Sequence, residues 1–365
     1  MKTQHLAPYV GHRYRHGAWL AGGLATALVL LLSVTTSDAG AAPVLRRSDA
    51  EALRLLRNAG GAVLATPYEG TQFISTWSDV EGDTRATTSL IRVTHTPGQG
   101  TYIEVRRTTA DPGRGTYEPD SGKARGGLTG FTLKMLDLMA RNYAVVRAGE
   151  DSVCGRPAHV VEARRPDGSP AGRFWIDHAT GLMLHRELLD GQGRAISITG
   201  FYDIRIGQPK PQVHEVQTVA APWGHELASA DLGFLRSDGW TVPESLPGHL
   251  QLYDARQADR GGVVHLGYSD GLSAVSVFVQ RGALDSHRFS RWRKIDTRGR
   301  TVYEHNALQR WAVWDSDDYV YTVLADAPQG TADAVIAALP HGGTGFWGRL
   351  GRGLKRLGSW LNPFE

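Results

Sequence analysis

The sequence predicts an α+β chain built from two antiparallel sheets in series, the first with helices on one face and the second smaller and closed by a last helix. Three observations carry this. From Tyr68 to Ile204, apolar and polar residues alternate with a period of two in short stretches. Turn pairs such as Pro97-Gly98, Asp167-Gly168 and Asp190-Gly191 separate these stretches. After a break at Gly207-Gln208-Pro209-Lys210-Pro211 the alternation resumes and runs to Ala325. The 365 residues suffice for two domains, and 21% charged with 41% hydrophobic residues is a globular balance.

Ser48-Asp49-Ala50-Glu51 has the spacing of a capping box. Leu53, Leu56 and Ala59 continue it as a helix face, and Gly60-Gly61 is expected to end it. Strands follow at Gln72–Trp77, Thr88–His95 and Tyr102–Val105, and Ala110–Gly127 reads as a loop. Leu128–Arg141 predicts a second helix through Phe131, Leu133, Leu136, Leu138 and Met139. Five more strands are expected at Tyr143–Arg147, Ala158–Arg165, Gly172–Asp177, Leu182–Leu188 and Ala195–Ile204. The second module should hold strands at Gln251–Asp254, Val263–Tyr268, Ala274–Gln280, Thr301–His305, Arg310–Asp315 and Tyr319–Ala325, then a helix at Thr331–Leu339. The expected division is 1–42 as a leader, 44–207 as the first module, 208–222 as a linker, 223–340 as the second module and 344–365 as a tail.

Both ends point to a membrane. Trp19–Val34 is almost wholly apolar, with Lys2, Arg13 and Arg15 before it and Ala39-Gly40-Ala41 after it. That is the layout of a secretory signal peptide, and an uncleaved anchor is the alternative. The run is short of the roughly twenty residues that a spanning helix needs. Cations on its N-terminal side direct the rest of the chain out of the cytoplasm. In the tail, Phe346, Trp347, Leu350, Leu354, Leu357, Trp360 and Leu361 fall on one helical stripe. Arg349, Arg352, Lys355 and Arg356 lie off it, as in a helix that rests on an anionic membrane surface. The alternative is a terminal helix packed on its own domain.

The net charge is +3, with the basic excess at the two ends, so no nucleic-acid footprint is expected. The single cysteine, Cys154, excludes an internal disulfide and reads as a small buried filler. Catalytic patterns fail in turn. His214-Glu215 and His225-Glu226 lack the second His of the zinc-protease motif. No stretch carries the G-x-S-x-G elbow, and Gly122-Lys123 is followed by Ala124. Asp177-His178 and Glu304-His305 are strand neighbours that point to opposite faces. The fourteen His residues are scattered without ligand spacing. No enzyme, metal or cofactor is expected, and the chain reads as a binding protein.

A one-sided sheet leaves an apolar concavity. Phe73, Trp77, Ile103, Leu133, Leu136, Phe174 and Ile176 are the candidate liners of a lipid groove between the sheet and the second helix, with core filling as the alternative use. In the second module, Asp270-Gly271 suits a turn. Tyr268, Asp270, Leu272, Val275 and Val277 around it are the candidate partner-binding residues, with Ala274–Gln280 offered as a free sheet edge.

The stretch Phe174–Asp190 resembles the sheet signature of the MucB/RseB family. Tyr68–Gln72 and His95–Gly98 look like its early strand motifs, and Tyr268–Phe278 is similar to its C-terminal signature. The resemblance covers roughly Asp49 to Leu339. It implies a lipoprotein-carrier-like half-barrel followed by a smaller α/β domain with an antiparallel sheet. It further implies an exported regulator of an extracytoplasmic-function sigma factor, binding the extracytoplasmic segment of an anti-sigma factor, with envelope lipid as the releasing signal. A carrier of lipid or lipoprotein in the cell envelope is the alternative, supported by the first module alone.

Overall fold

The computed structural model describes residues 48–80, 83–108, 122–124, 132–207, 223–258, 262–306 and 309–342. Both leader and tail, including every tail residue named above, lie outside the described residues. Among the described residues no helix is long and apolar enough to cross a membrane. Both modules belong to one compact unit, Pro43–Glu365.

The first helix, α1 (Ala50–Ala65), is capped by Asp49, whose side chain accepts from the Glu51 N–H at 2.8 Å. The cap is one residue later than the spacing suggests. Ser48 instead accepts from the Val145 N–H at 3.1 Å and ties the helix start to a strand. Gly60-Gly61 does not end α1, because Val63 in the following turn is buried against the sheet. Tertiary burial of this kind outweighs the roughly 1 kcal/mol a glycine costs in a helix.

The first sheet contains β1 (Tyr68–Val80), β2 (Asp83–Thr96), β3 (Gly100–Thr108), β4 (Gly122–Ala124), β5 (Ala144–Val153), β6 (Arg156–Arg164), β7 (Pro170–Asp177), β8 (Met183–Leu189) and β9 (Ala195–Ile206). It is antiparallel throughout, in the order β4-β3-β2-β1-β9-β8-β7-β6-β5. The second helix, α2 (Leu133–Asn142), is capped by the Thr132 hydroxyl and starts five residues later than expected. Leu56, Ala59, Leu136 and Met139 of the two helices pack on Val161, Phe174 and Ile176 of the strands. The helices therefore cover one face, as the alternation implies.

The second sheet contains β10 (Trp223–Glu226), β11 (Ser245–Leu246), β12 (Leu250–Ala258), β13 (Val263–Ser269), β14 (Ala274–Arg281), β15 (Arg293–Thr297), β16 (Arg300–Asn306), β17 (Arg310–Ser316) and β18 (Tyr319–Asp326). Its order is β10-β12-β13-β14-β18-β17-β16-β15, with β11 paired to β12. Helices α3 (Ser229–Ser237) and α4 (Gln329–Ala338) bury Leu235, Val335 and Ile336 in the same core as Leu266, Val277 and Trp314. Sequence reading misses α3, although Asp231 accepts from the Ala228 N–H at its start and Gly239 turns the chain at its end. It also misses β15, a polar strand joined to β16 by the positive-φ pair Arg298-Gly299.

Candidate functional site

The two modules meet at the turn between β13 and β14. Its local chemistry is self-contained. Asp270 Oδ1 accepts from the N–H groups of Leu272 and Ser273 at 2.8 and 2.6 Å. The Ser269 hydroxyl donates to the Ser273 carbonyl and accepts from the Gly271 N–H. This Asx-type closure satisfies the turn's own N–H groups. Three further acceptors of the turn are met by the first module. Tyr143 donates to Asp270 Oδ2 at 2.7 Å, Asn142 donates to the Asp270 carbonyl at 2.9 Å, and Arg186 donates to the Leu272 carbonyl at 2.6 Å. Burial, then the Asp270 charge and hydrogen bond, push the Tyr143 phenol far above its ordinary range.

The apolar part of the same turn is shared. Leu272 is 1% exposed and belongs to the first module's core beside Leu56, Met139 and Phe174. Gly271 has φ +101, and a Cβ built there would stand 2.2 Å from the Met139 nitrogen. Only glycine lets the turn seat against α2. At the edge of the contact Lys134 pairs with Glu226 and donates to the Tyr253 carbonyl at 3.2 Å. The turn is thus a plug from the second module in a socket of the first.

A cleft of about 600 Å³ opens where the β8–β9 turn faces the ends of β16, β17 and α4. Trp77, Gln192, Arg194, Asn306, Gln309 and Arg310 are among the residues that line it. Arg310 and Arg293 both donate to Glu304, and Arg310 also reaches Asp333 at 2.6 Å. Asn306 Oδ1 and Arg310 Nε are buried without a hydrogen-bond partner among the described residues. Unsatisfied buried polar atoms are costly, so this pair is a strained point behind the cleft wall.

The expected site residues are divided by the structure. Tyr268, Val275 and Val277 are 0, 2 and 0% exposed and fill the second module's core, while Asp270 and Leu272 form the plug. None of the five faces solvent. The expected free edge is a correction: β14 is paired with β13 on one side and β18 on the other. Among the described residues the end strand at that side of the sheet is β15.

The seven groove candidates do not line one space. Leu136, Phe174 and Ile176 are closed in the core, and Ile103 packs half-buried against Val93 and its neighbours. Leu133 is 65% exposed at the start of α2. Ile74 packs on the helix side, so Phe73 and Trp77 point to the opposite face by strand alternation. There Phe73 meets the ring of His185, which in turn meets Trp175. Trp77 lines the inter-module cleft instead.

Cys154 is a further correction. It is exposed in the β5–β6 turn at φ 51, and its thiol donates to the Phe201 carbonyl at 3.2 Å. Partial burial and the Asp203 charge push that thiol up, which disfavours the nucleophilic thiolate.

Residues 104–222 match the family described as the MucB/RseB N-terminal domain. No curated protein matches the chain. Among solved structures, MucB in complex with MucA(peri) is 19% identical, covering 78% of this chain and 97% of that one, with a TM-score of 0.39. The MucA/MucB complex of Pseudomonas aeruginosa is 20% identical over 78% and 97% of the two chains, with a TM-score of 0.41. A LolA superfamily protein from Nitrosomonas europaea is 10% identical over 44% and 94%, with a TM-score of 0.18. The domain matched at residues 104–222 and the motifs before and after it are what this chain shares with the MucB/RseB family.

Proposed function

We propose that the chain is an exported regulator of an extracytoplasmic-function sigma factor that holds the extracytoplasmic segment of an anti-sigma factor in the cleft between its modules. The observation that carries this reading is the MucB/RseB N-terminal domain at residues 104–222. The cleft supports it: Trp77 as an aromatic anchor shares one space of about 600 Å³ with the polar side chains of Gln192, Asn306 and Arg310. In this reading the leader exports the chain and the basic tail at 344–365 rests on the membrane, near an anchored partner.

The test is affinity capture of the extracytoplasmic segment of an anti-sigma factor from the same genome by the full chain. Trp77→Ala with Asn306→Ala should weaken capture about tenfold or more. No capture removes the reading, and capture unchanged by both substitutions moves the site out of the cleft. Envelope lipid as the releasing signal has less behind it, because Leu136, Phe174 and Ile176 are already used as core. Native mass spectrometry of the full chain with added phospholipid tests that part separately.

A further inference from the structure

At the other edge of the first sheet, β5 and β6 place Glu150 directly opposite His159. The β7–β8 turn brings His178 over the same carboxylate, held there by its N–H on the Pro157 carbonyl at 3.0 Å. His159 Nδ1 is 2.9 Å from Glu150 Oε1, and His178 Nε2 is bonded to Glu150 Oε2. The two imidazoles stand 3.9 Å apart with 26° between their planes. One donor atom from each of the three residues lies within 4.8 Å of the other two. Donors around a tetrahedral ion bound at about 2.1 Å sit roughly 3.4 Å apart, so a small spreading of these side chains makes room for a cation.

We propose that Glu150, His159 and His178 form a binding site for a zinc-like divalent cation, with positions left open on the solvent side. Two imidazoles and one carboxylate are a donor set for a borderline metal such as zinc rather than for calcium or magnesium, which take oxygen. His178 has a side chain that is 41% exposed and has room to turn its lone pair inward. The opposing charge is Arg147, which touches both Glu150 and His159. It has a second carboxylate to go to, since Glu51 of α1 already accepts from it at 3.0 Å. A bound cation would therefore leave Arg147 paired with Glu51, while the Glu150 carboxylate offsets half of the ion's charge. Asp177, the other acid of that turn, is already engaged by Arg156 and Thr180 and is not available as a ligand. The site depends neither on the cleft nor on an anti-sigma partner.

The experiment is a calorimetric titration of the full chain, stripped with chelator, with zinc chloride above the ordinary imidazole range of about 6.5. Cobalt chloride followed by its visible absorption serves as the second probe. One ion per chain is expected, with a cobalt spectrum of a low-coordinate nitrogen and oxygen site that zinc displaces. Glu150→Gln, His159→Asn and His178→Asn should each weaken binding about tenfold or more. Metal should also raise the thermal midpoint of the wild type and not that of His159→Asn with His178→Asn. The circular dichroism spectrum of each variant shows whether it has folded. A wild-type chain that binds neither ion overturns the proposal, and so does binding that none of the three substitutions in a folded chain diminishes.

Discussion

The turn at Asp270-Gly271 and the turn at Asp167-Gly168 have the same residues and opposite duties. Both place glycine at positive φ, +101 and +85. Both use the aspartate as a local acceptor: Asp270 for Leu272 and Ser273, Asp167 for the N–H and hydroxyl of Ser169. Around Gly168 nothing lies within 4 Å of where a Cβ would stand, whereas Gly271 sits against the backbone of Met139. Asp167 faces water, while Asp270 is 5% exposed and ends its spare hydrogen bonds on Tyr143 and Asn142. The same local closure makes one turn a surface reversal and the other the joint between two modules. What separates them is the residue that follows: Ser169 returns to its own hairpin, and Leu272 leaves its own module for the core of its neighbour.

Glycine replacement should separate the two turns most strongly. Gly271→Ala should cost about 4 kcal/mol, because the new methyl meets backbone that cannot yield. Its denaturant unfolding should split into two transitions as the modules separate. Gly168→Ala meets open space and should cost about 1 kcal/mol for the backbone conformation alone. Equal losses would show that the plug is not a seated contact. Next in size, Leu272→Ala should cost about 3 kcal/mol, as for a leucine closed in a core. Leu133→Ala, at a leucine 65% exposed, should cost less than about 0.5 kcal/mol. Chemical denaturation of both variants decides this, and a small Leu272 effect would place the plug outside the core's cooperative unit.

A smaller loss, about 2 kcal/mol, is expected for Asp270→Asn, which weakens a buried charge-assisted bond to Tyr143. Asp167→Asn should leave the unfolding midpoint unchanged. The last effect is one of pH. The Tyr143 phenol is raised in the folded chain, so its contribution is fully present below the ordinary tyrosine value of about 10. As pH climbs above that value the unfolded chain loses the proton first, and stability falls. The fall should be shallower in Tyr143→Phe than in the wild type, measured by urea midpoints on both sides of the phenol's ordinary range. A wild type and variant with parallel alkaline profiles would remove Tyr143 from the joint's electrostatics.

Legibility differed from place to place for physical reasons. Alternation located most strands of both sheets, because one face of each is buried and the period of two records that directly. It misjudged the end of α1, where Gly60-Gly61 is a genuine breaker in isolation and Val63 overrules it through burial. It missed β15 because an exposed edge strand has little apolar signal to give, although Arg298-Gly299 was a turn mark. Phe73 and Ile74 were both readable as strand residues, but not which of them faced the helices. A shift of one residue exchanges the faces, and the sequence carries no mark of the sheet's inner side.

Legible without any structure were the two antiparallel sheets, the helices over the first of them, the turn at Asp270-Gly271 and the resemblance that the domain match at residues 104–222 repeats. These rest on periodicity and on chemistry between residues a few positions apart, and both are written locally. Long-range packing made the turn a plug, set β14 as an inner strand and brought Trp77, Asn306 and Arg310 to one cleft. It alone gathered Glu150, His159 and His178 around one point. Strand register sets Glu150 beside His159, and a turn anchored on Pro157 brings in His178. No spacing along the chain encodes that meeting, because it depends on which strands pair and in what register.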